Sequence, residues 1–182
     1  MPRFVSFVIA VIVICLAQAA GATITLPDTV AKRIKADPVA YIDEVAALIA
    51  GYGRDCAIDA GGIDLRIAMA RAAARVTGTA RLLRADLDGD GAVAPDELAA
   101  VQGASSAQDR GKLAVTFARA DGDANGTVDT AEVQALAATA ALSGFGDAKA
   151  AALRGIMAFD VDGDGKVTLN EVRSGLTALG LL

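Results

Sequence analysis

Three twelve-residue stretches constrain this chain more than anything else in it: "DLDGDGAVAPDE" from Asp86 to Glu97, "DGDANGTVDTAE" from Asp121 to Glu132, and "DVDGDGKVTLNE" from Asp160 to Glu171. Each sets oxygen-bearing side chains at alternate positions, turns on a glycine and closes on a glutamate. Carboxylates crowded in this way repel one another unless a cation sits among them. The stretches begin 35 and 39 residues apart, and a repeat of that period implies one helix-loop-helix unit used several times.

Each position carries what a hard cation asks for. Positions 1, 3 and 5 offer side-chain oxygens: Asp86, Asp88 and Asp90; Asp121, Asp123 and Asn125; Asp160, Asp162 and Asp164. Position 6 is Gly91, Gly126 or Gly165, where a sharp turn with positive φ suits glycine. Position 7 lends a backbone carbonyl, so Ala92, Thr127 and Lys166 can differ freely. Glu97, Glu132 and Glu171 at position 12 can each supply two oxygens. The chain holds four Glu against eighteen Asp, and three of the four stand at position 12, which favours a large ion over Mg²⁺ and its compact shell.

The pattern resembles the EF-hand calcium loop. That resemblance implies three Ca²⁺ sites on an all-α fold of paired EF-hand helix-loop-helix units, arranged in two lobes with short two-stranded contacts between loops. It implies apolar residues four before each loop, here Leu82, Phe117 and Ile156. At position 9 it implies that Asp129 acts through water, that water coordinates directly beside Ala94, and that Thr168 orients a water, which would make the third site the tightest. The loops are expected to pair at position 8 through Val93, Val128 and Val167, a residue type that suits a strand.

Three loops leave one without a partner. The loops at 121 and 160 are expected to pair, and the loop at 86 is assigned to "CAIDAGGIDLRI", read with Gly61 at position 6 and Ile63 at position 8 as a degenerate hand over 38–76. An ordinary helix-turn-helix is the alternative reading, as is an irregular site at Asp55, Asp59 and Asp64. The expected organisation is a signal peptide (1–22), an N-terminal lobe (23–103) and a C-terminal pair (104–182).

Between the loops, Asp28 can cap a helix that stops ahead of Pro38. Asp37 and Pro38 start a second, whose apolar face is Val39, Ile42, Val45, Ile49 and Tyr52. Leu65, Met69, Ala72 and Val76 mark a third, which Thr77-Gly78-Thr79 is expected to interrupt. Helices then follow at about 95–103, 106–120, 130–142, 147–159 and 169–180.

"MPRFVSFVIAVIVICLAQAAGA" reads as a secretory signal peptide, with an uncleaved anchor as the alternative. The protein is therefore expected to be exported, periplasmic or secreted. Cleavage would leave Cys56 without an internal disulfide partner, and a buried apolar thiol is expected there. With 17 basic and 22 acidic residues the formal charge is −5, and no basic stripe forms, so nucleic acid is not an expected partner. The chain has no His and no Trp, which removes histidine triads, Cys-His dyads and histidine zinc sites. The reading is a non-enzyme that binds calcium as a structural or buffering protein, free of the membrane once the signal is cleaved. The alternative is a sensor that exposes an apolar groove to a protein partner, although few methionines are present to line one. Lanthanide binding and a dockerin-like docking module are remoter readings.

Overall fold

The protein is described by a computed structural model covering Ile24 and residues 26–182. The signal-peptide stretch lies outside the described residues. Among those residues the chain is all-α, as expected: α1 (Asp28–Ala36), α2 (Pro38–Tyr52), α3 (Ala60–Leu83), α4 (Pro95–Ala104), α5 (Ala107–Ala120), α6 (Thr130–Gly144), α7 (Asp147–Arg154) and α8 (Leu169–Ala178). A 3₁₀ turn at Gly155–Phe159 and two short strands, β1 (Ala57–Asp59) and β2 (Lys166–Thr168), complete it. None of these helices is long and apolar enough to cross a membrane.

Local chemistry explains the helix starts. Asp37 Oδ1 accepts from the Ala40 amide at 2.9 Å, with Pro38 in the first helical position. Asp28, expected as a cap, is instead the first residue of α1 behind Pro27. The buried face of α2 is Tyr41, Ile42, Val45 and Leu48, and Val39 is left 61% exposed. The face is turned relative to the expected one because α1 and α8 both pack on α2.

No break occurs at Thr77-Gly78-Thr79. α3 runs through it for 24 residues, and Gly78 is there because α6 crosses at that point. A Cβ on Gly78 would stand 2.3 Å from the Cβ of Ala140, and one on Gly144 would stand 2.5 Å from the Cβ of Ala74. Small residues let the two helix backbones approach closely, and the outer face of α3 leaves Leu65, Met69 and Val76 exposed.

The loop pairing differs from expectation. Val93 and Val128 exchange backbone hydrogen bonds of 2.8 and 3.0 Å, joining the loops at 86 and 121. β1 and β2 pair antiparallel with Ile58 opposite Val167, joining the ligand-poor turn to the loop at 160. The loops at 121 and 160 are therefore not partners, and Ile63 does not meet Val93. Both contacts cross the expected boundary between 103 and 104. The reason is the continuity of α3: 24 helical residues hold the turn at one end and the loop at the other about 36 Å apart. We call the pair at Val93 and Val128 the inner pair and the pair at Ile58 and Val167 the outer pair.

The degenerate hand also has a different register. Arg54 and Ala57 close a two-residue turn through hydrogen bonds of 2.8 and 3.0 Å, with φ of 53° at Asp55 and 62° at Cys56. Positive φ at both central residues is the hairpin geometry that matches strand twist. "DCAID" (55–59) thus aligns with "DGAVA" (90–94), "NGTVD" (125–129) and "DGKVT" (164–168). Cys56 takes position 6 and Ile58 position 8. Position 1 becomes Gly51, which restores the 35-residue interval to Asp86. Positions 3 and 12 become Gly53 and Gly62, so no carboxylate remains at positions 1, 3 or 12. Cys56 at the turn apex is exposed, not buried.

Each pair has its own core. Leu82, Ala85, Val93, Phe117, Ala120 and Val128 form the inner one. Ile34, Val45, Ile58, Phe159, Val167 and Leu176 belong to the larger outer one. Leu82, Phe117 and Ile156 are all buried, as loops of this kind require.

Candidate metal sites

The loops are shaped by their own short acidic side chains, which accept hydrogen bonds from amides a few residues on. Asp86 accepts from Gly89 and Gly91 at 2.7 and 3.0 Å, and Asp160 from Gly163 and Gly165 at 2.8 and 3.0 Å. Asp121 accepts from Asn125 and Gly126, both at 3.1 Å. At position 5, Asp90, Asn125 and Asp164 accept from the amides of Ala92, Thr127 and Lys166 at 2.8, 2.8 and 2.7 Å. Gly91, Gly126 and Gly165 have φ of 82–84°. At position 4, where the other loops have glycine, the second holds Ala124 with φ of 58°, a conformation uncommon outside glycine.

This folding brings three acid triads together. Carboxylate oxygens of Asp86, Asp88 and Glu97, of Asp121, Asp123 and Glu132, and of Asp160, Asp162 and Glu171 each lie within 4.8 Å of one another. The ion pairs among the described residues are Arg33–Glu44, Arg71–Asp147 and Arg154–Asp64, so no basic side chain neutralises any triad. Asp90, Asp129 and Asp164 stand outside the triads. Lys166 lies in β2 opposite Asp59.

The closing glutamates are held differently. Glu97 accepts from Leu87 and Asp88 on Oε1, at 2.7 and 3.2 Å, and from Ala94 on Oε2, at 2.8 Å. The amides of Ala94 and then Leu87 hold its carboxyl below the ordinary range, against a smaller opposing effect of burial. Glu132 accepts from Gly122 at 2.6 Å on Oε1 and from Asp129 at 3.0 Å on Oε2. Glu171 binds the Thr168 amide and hydroxyl through Oε2, both at 2.8 Å. Its Oε1 is buried with no partner. A buried carboxylate oxygen left unsatisfied beside two further aspartates fits a bound cation.

Two of these glutamates have a second role that the sequence reading missed. Asp129 with Glu132 and Thr168 with Glu171 form reciprocal capping boxes that start α6 and α8. The signal was present in "DTAE" and "TLNE", an N-cap residue followed three positions later by Glu. Ala94 has no side-chain oxygen to return the bond. Asp129 Oδ1 accepts from the Glu132 amide at 2.9 Å. The Thr168 hydroxyl donates to Glu171 Oε2 at 2.8 Å and accepts from the Glu171 amide at 3.2 Å, so it positions the clamp.

The EF hand family model matches residues 153–176, which run from α7 through the third loop into α8. No curated protein matches the chain, and no solved structure does. The match and the three triads together fit a calcium-binding EF-hand protein.

Proposed function

We propose that the protein binds Ca²⁺ at three sites, one per acidic loop, and acts outside the cytoplasm as a calcium-stabilised structural or buffering protein. The observation that carries this is three triads of carboxylates with no neutralising side chain among the described residues. Asp86, Asp88 and Glu97, Asp121, Asp123 and Glu132, and Asp160, Asp162 and Glu171 would hold the ions, with the position-5 oxygens and position-7 carbonyls completing each set. The third site ranks tightest because Glu171 Oε1 is uncommitted, whereas Oε1 of Glu97 and of Glu132 is already engaged by backbone amides. Export rests on the N-terminal signal-like stretch, and a binding role rather than catalysis rests on the absence of histidine.

A structural or buffering role is favoured over a sensor by α1. Val30 and Ile34 of α1 are buried in the outer core, and Ile24 and Pro27 seat so closely on Gly175 and Gly155 that a Cβ there would meet them at 2.8 and 3.2 Å. The chain covers part of its own apolar surface, leaving less to offer a partner. Calorimetric Ca²⁺ titration of the protein and of Glu97→Gln, Glu132→Gln and Glu171→Gln tests this reading. The expected result is three sites, the tightest lost in Glu171→Gln; a tightest site that survives refutes the ranking. Absence of any heat or circular-dichroism change at millimolar Ca²⁺ refutes calcium binding, and strong apolar-dye uptake only with Ca²⁺ favours the sensor.

A further inference from the structure

We infer that the cleft between α1, α2 and α7 binds a small amphipathic carboxylate, an apolar body with one anionic head. The inference is independent of the calcium loops. The cleft has a volume of about 610 Å³, within the usual range of ligand pockets. Its lining includes Val45, Leu48, Leu153 and Ile156 together with the rings of Tyr52 and Phe145.

The polar groups around it are few and unevenly matched. Arg33 is paired with Glu44, so those two charges cancel. The Arg66 guanidinium lies 5.9 Å from the centroid of the Tyr52 ring and 5.5 Å from that of Phe145, and no acid within the described residues pairs with it. Lys149 donates to the Gly144 carbonyl at 3.0 Å and is likewise unpaired by any acid. The cleft therefore carries two uncompensated positive charges against apolar walls, in a chain whose net charge is −5. Tyr41, 5% exposed, also lines it, and its buried hydroxyl has no hydrogen-bond partner.

An apolar body satisfies the walls, and a carboxylate matches the planar fork of a guanidinium already oriented by two rings. A single alkyl or aryl acid fits the space.

The chain has two tyrosines and no tryptophan, and both tyrosines line the cleft, so intrinsic fluorescence reports on it alone. The full chain, in calcium-containing buffer, is titrated with octanoate, 1-octanol and octylamine. Saturable quenching or enhancement by octanoate is expected, at least ten-fold tighter than by the alcohol or the amine. Arg66→Gln should lose about ten-fold in octanoate affinity, while Arg81→Gln, on the exposed surface of α3, should not change it. No saturable response to octanoate overturns the proposal. So does equal binding of octanoate and octanol, or equal behaviour of the two arginine variants. Should Arg66→Gln fail to fold, the comparison of head groups on the unaltered protein decides. Binding of an acidic amphipathic peptide without binding of octanoate overturns the proposal in favour of a protein partner.

Discussion

Replacing Gly78 by alanine should destabilise the protein, although alanine is the better helix former. On an open helix face that exchange gains about 0.5–1 kcal/mol. At Gly78 the added methyl would stand 2.3 Å from the Cβ of Ala140, well inside the roughly 3.5–4.0 Å at which carbon atoms attract. Relief requires α3 and α6 to part by an ångström or more along a crossing where Gly144 meets Ala74 just as closely. Overpacking of this kind costs about 1–3 kcal/mol, so the net loss is about 0–2.5 kcal/mol after the propensity gain. Gly111, inside α5 with nothing within 4 Å of its Cβ position, is the control, and its alanine variant should gain about 0.5–1 kcal/mol. Urea unfolding followed by circular dichroism at fixed Ca²⁺ reads both. Adding Ala140→Gly to Gly78→Ala removes the atom that is struck and should recover part of the loss, giving a non-zero coupling energy. Equal stabilisation by Gly78→Ala and Gly111→Ala would refute the close crossing, and with it the continuity of α3.

Two other tests address the pairing and the outer core. In a Cys56→Ser background, Val93→Cys with Val128→Cys should oxidise spontaneously, because a hydrogen-bonded antiparallel pair sets its Cα atoms about 5.5 Å apart; Ile63→Cys with Val93→Cys should stay reduced, as shown by mass under non-reducing conditions. Burial pushes the Tyr41 hydroxyl up to about 12, with Arg33 lowering it and Glu44 raising it by smaller amounts. The folded value lies above the unfolded one, so its contribution is fully present below pH 10 and is lost as pH rises toward 12, by about 3 kcal/mol in total. Tyr41→Phe keeps the ring beside Phe159 and should lack that alkaline decline when unfolding is compared at pH 9 and pH 11.5.

The loops were legible because their chemistry is local. Asp at alternate positions, glycine at position 6 and glutamate at position 12 act within twelve residues, and the acid triads form where the spacing places them. The helix start at Asp37 was legible for the same reason, and α5, α6 and α8 begin within a residue of where periodicity placed them. Partner choice was not: all three loops carry valine at position 8, so nothing in one loop distinguishes its partner, and the length of α3 decides. Gly78 resembled a break because glycine serves both turns and close packing, and the neighbour that separates these uses lies more than fifty residues away in α6. The register of the degenerate hand was readable in "DCAID". Two adjacent glycines, Gly61 and Gly62, drew the turn to the wrong place, and they prove to be inside the first turn of α3.

The outer pair has a consequence for how the protein is made. Chains emerge N-terminus first, so β1 and the apolar side of α2 are synthesised long before β2. The inner pair can close as soon as α6 is complete, while Ile58 waits for Val167 across a separation on the order of 100 residues. During that wait the open edge of β1 and the surface that will meet Phe159 and Leu176 stay uncovered. The third acidic loop, last off the ribosome, is the one whose arrival shields both.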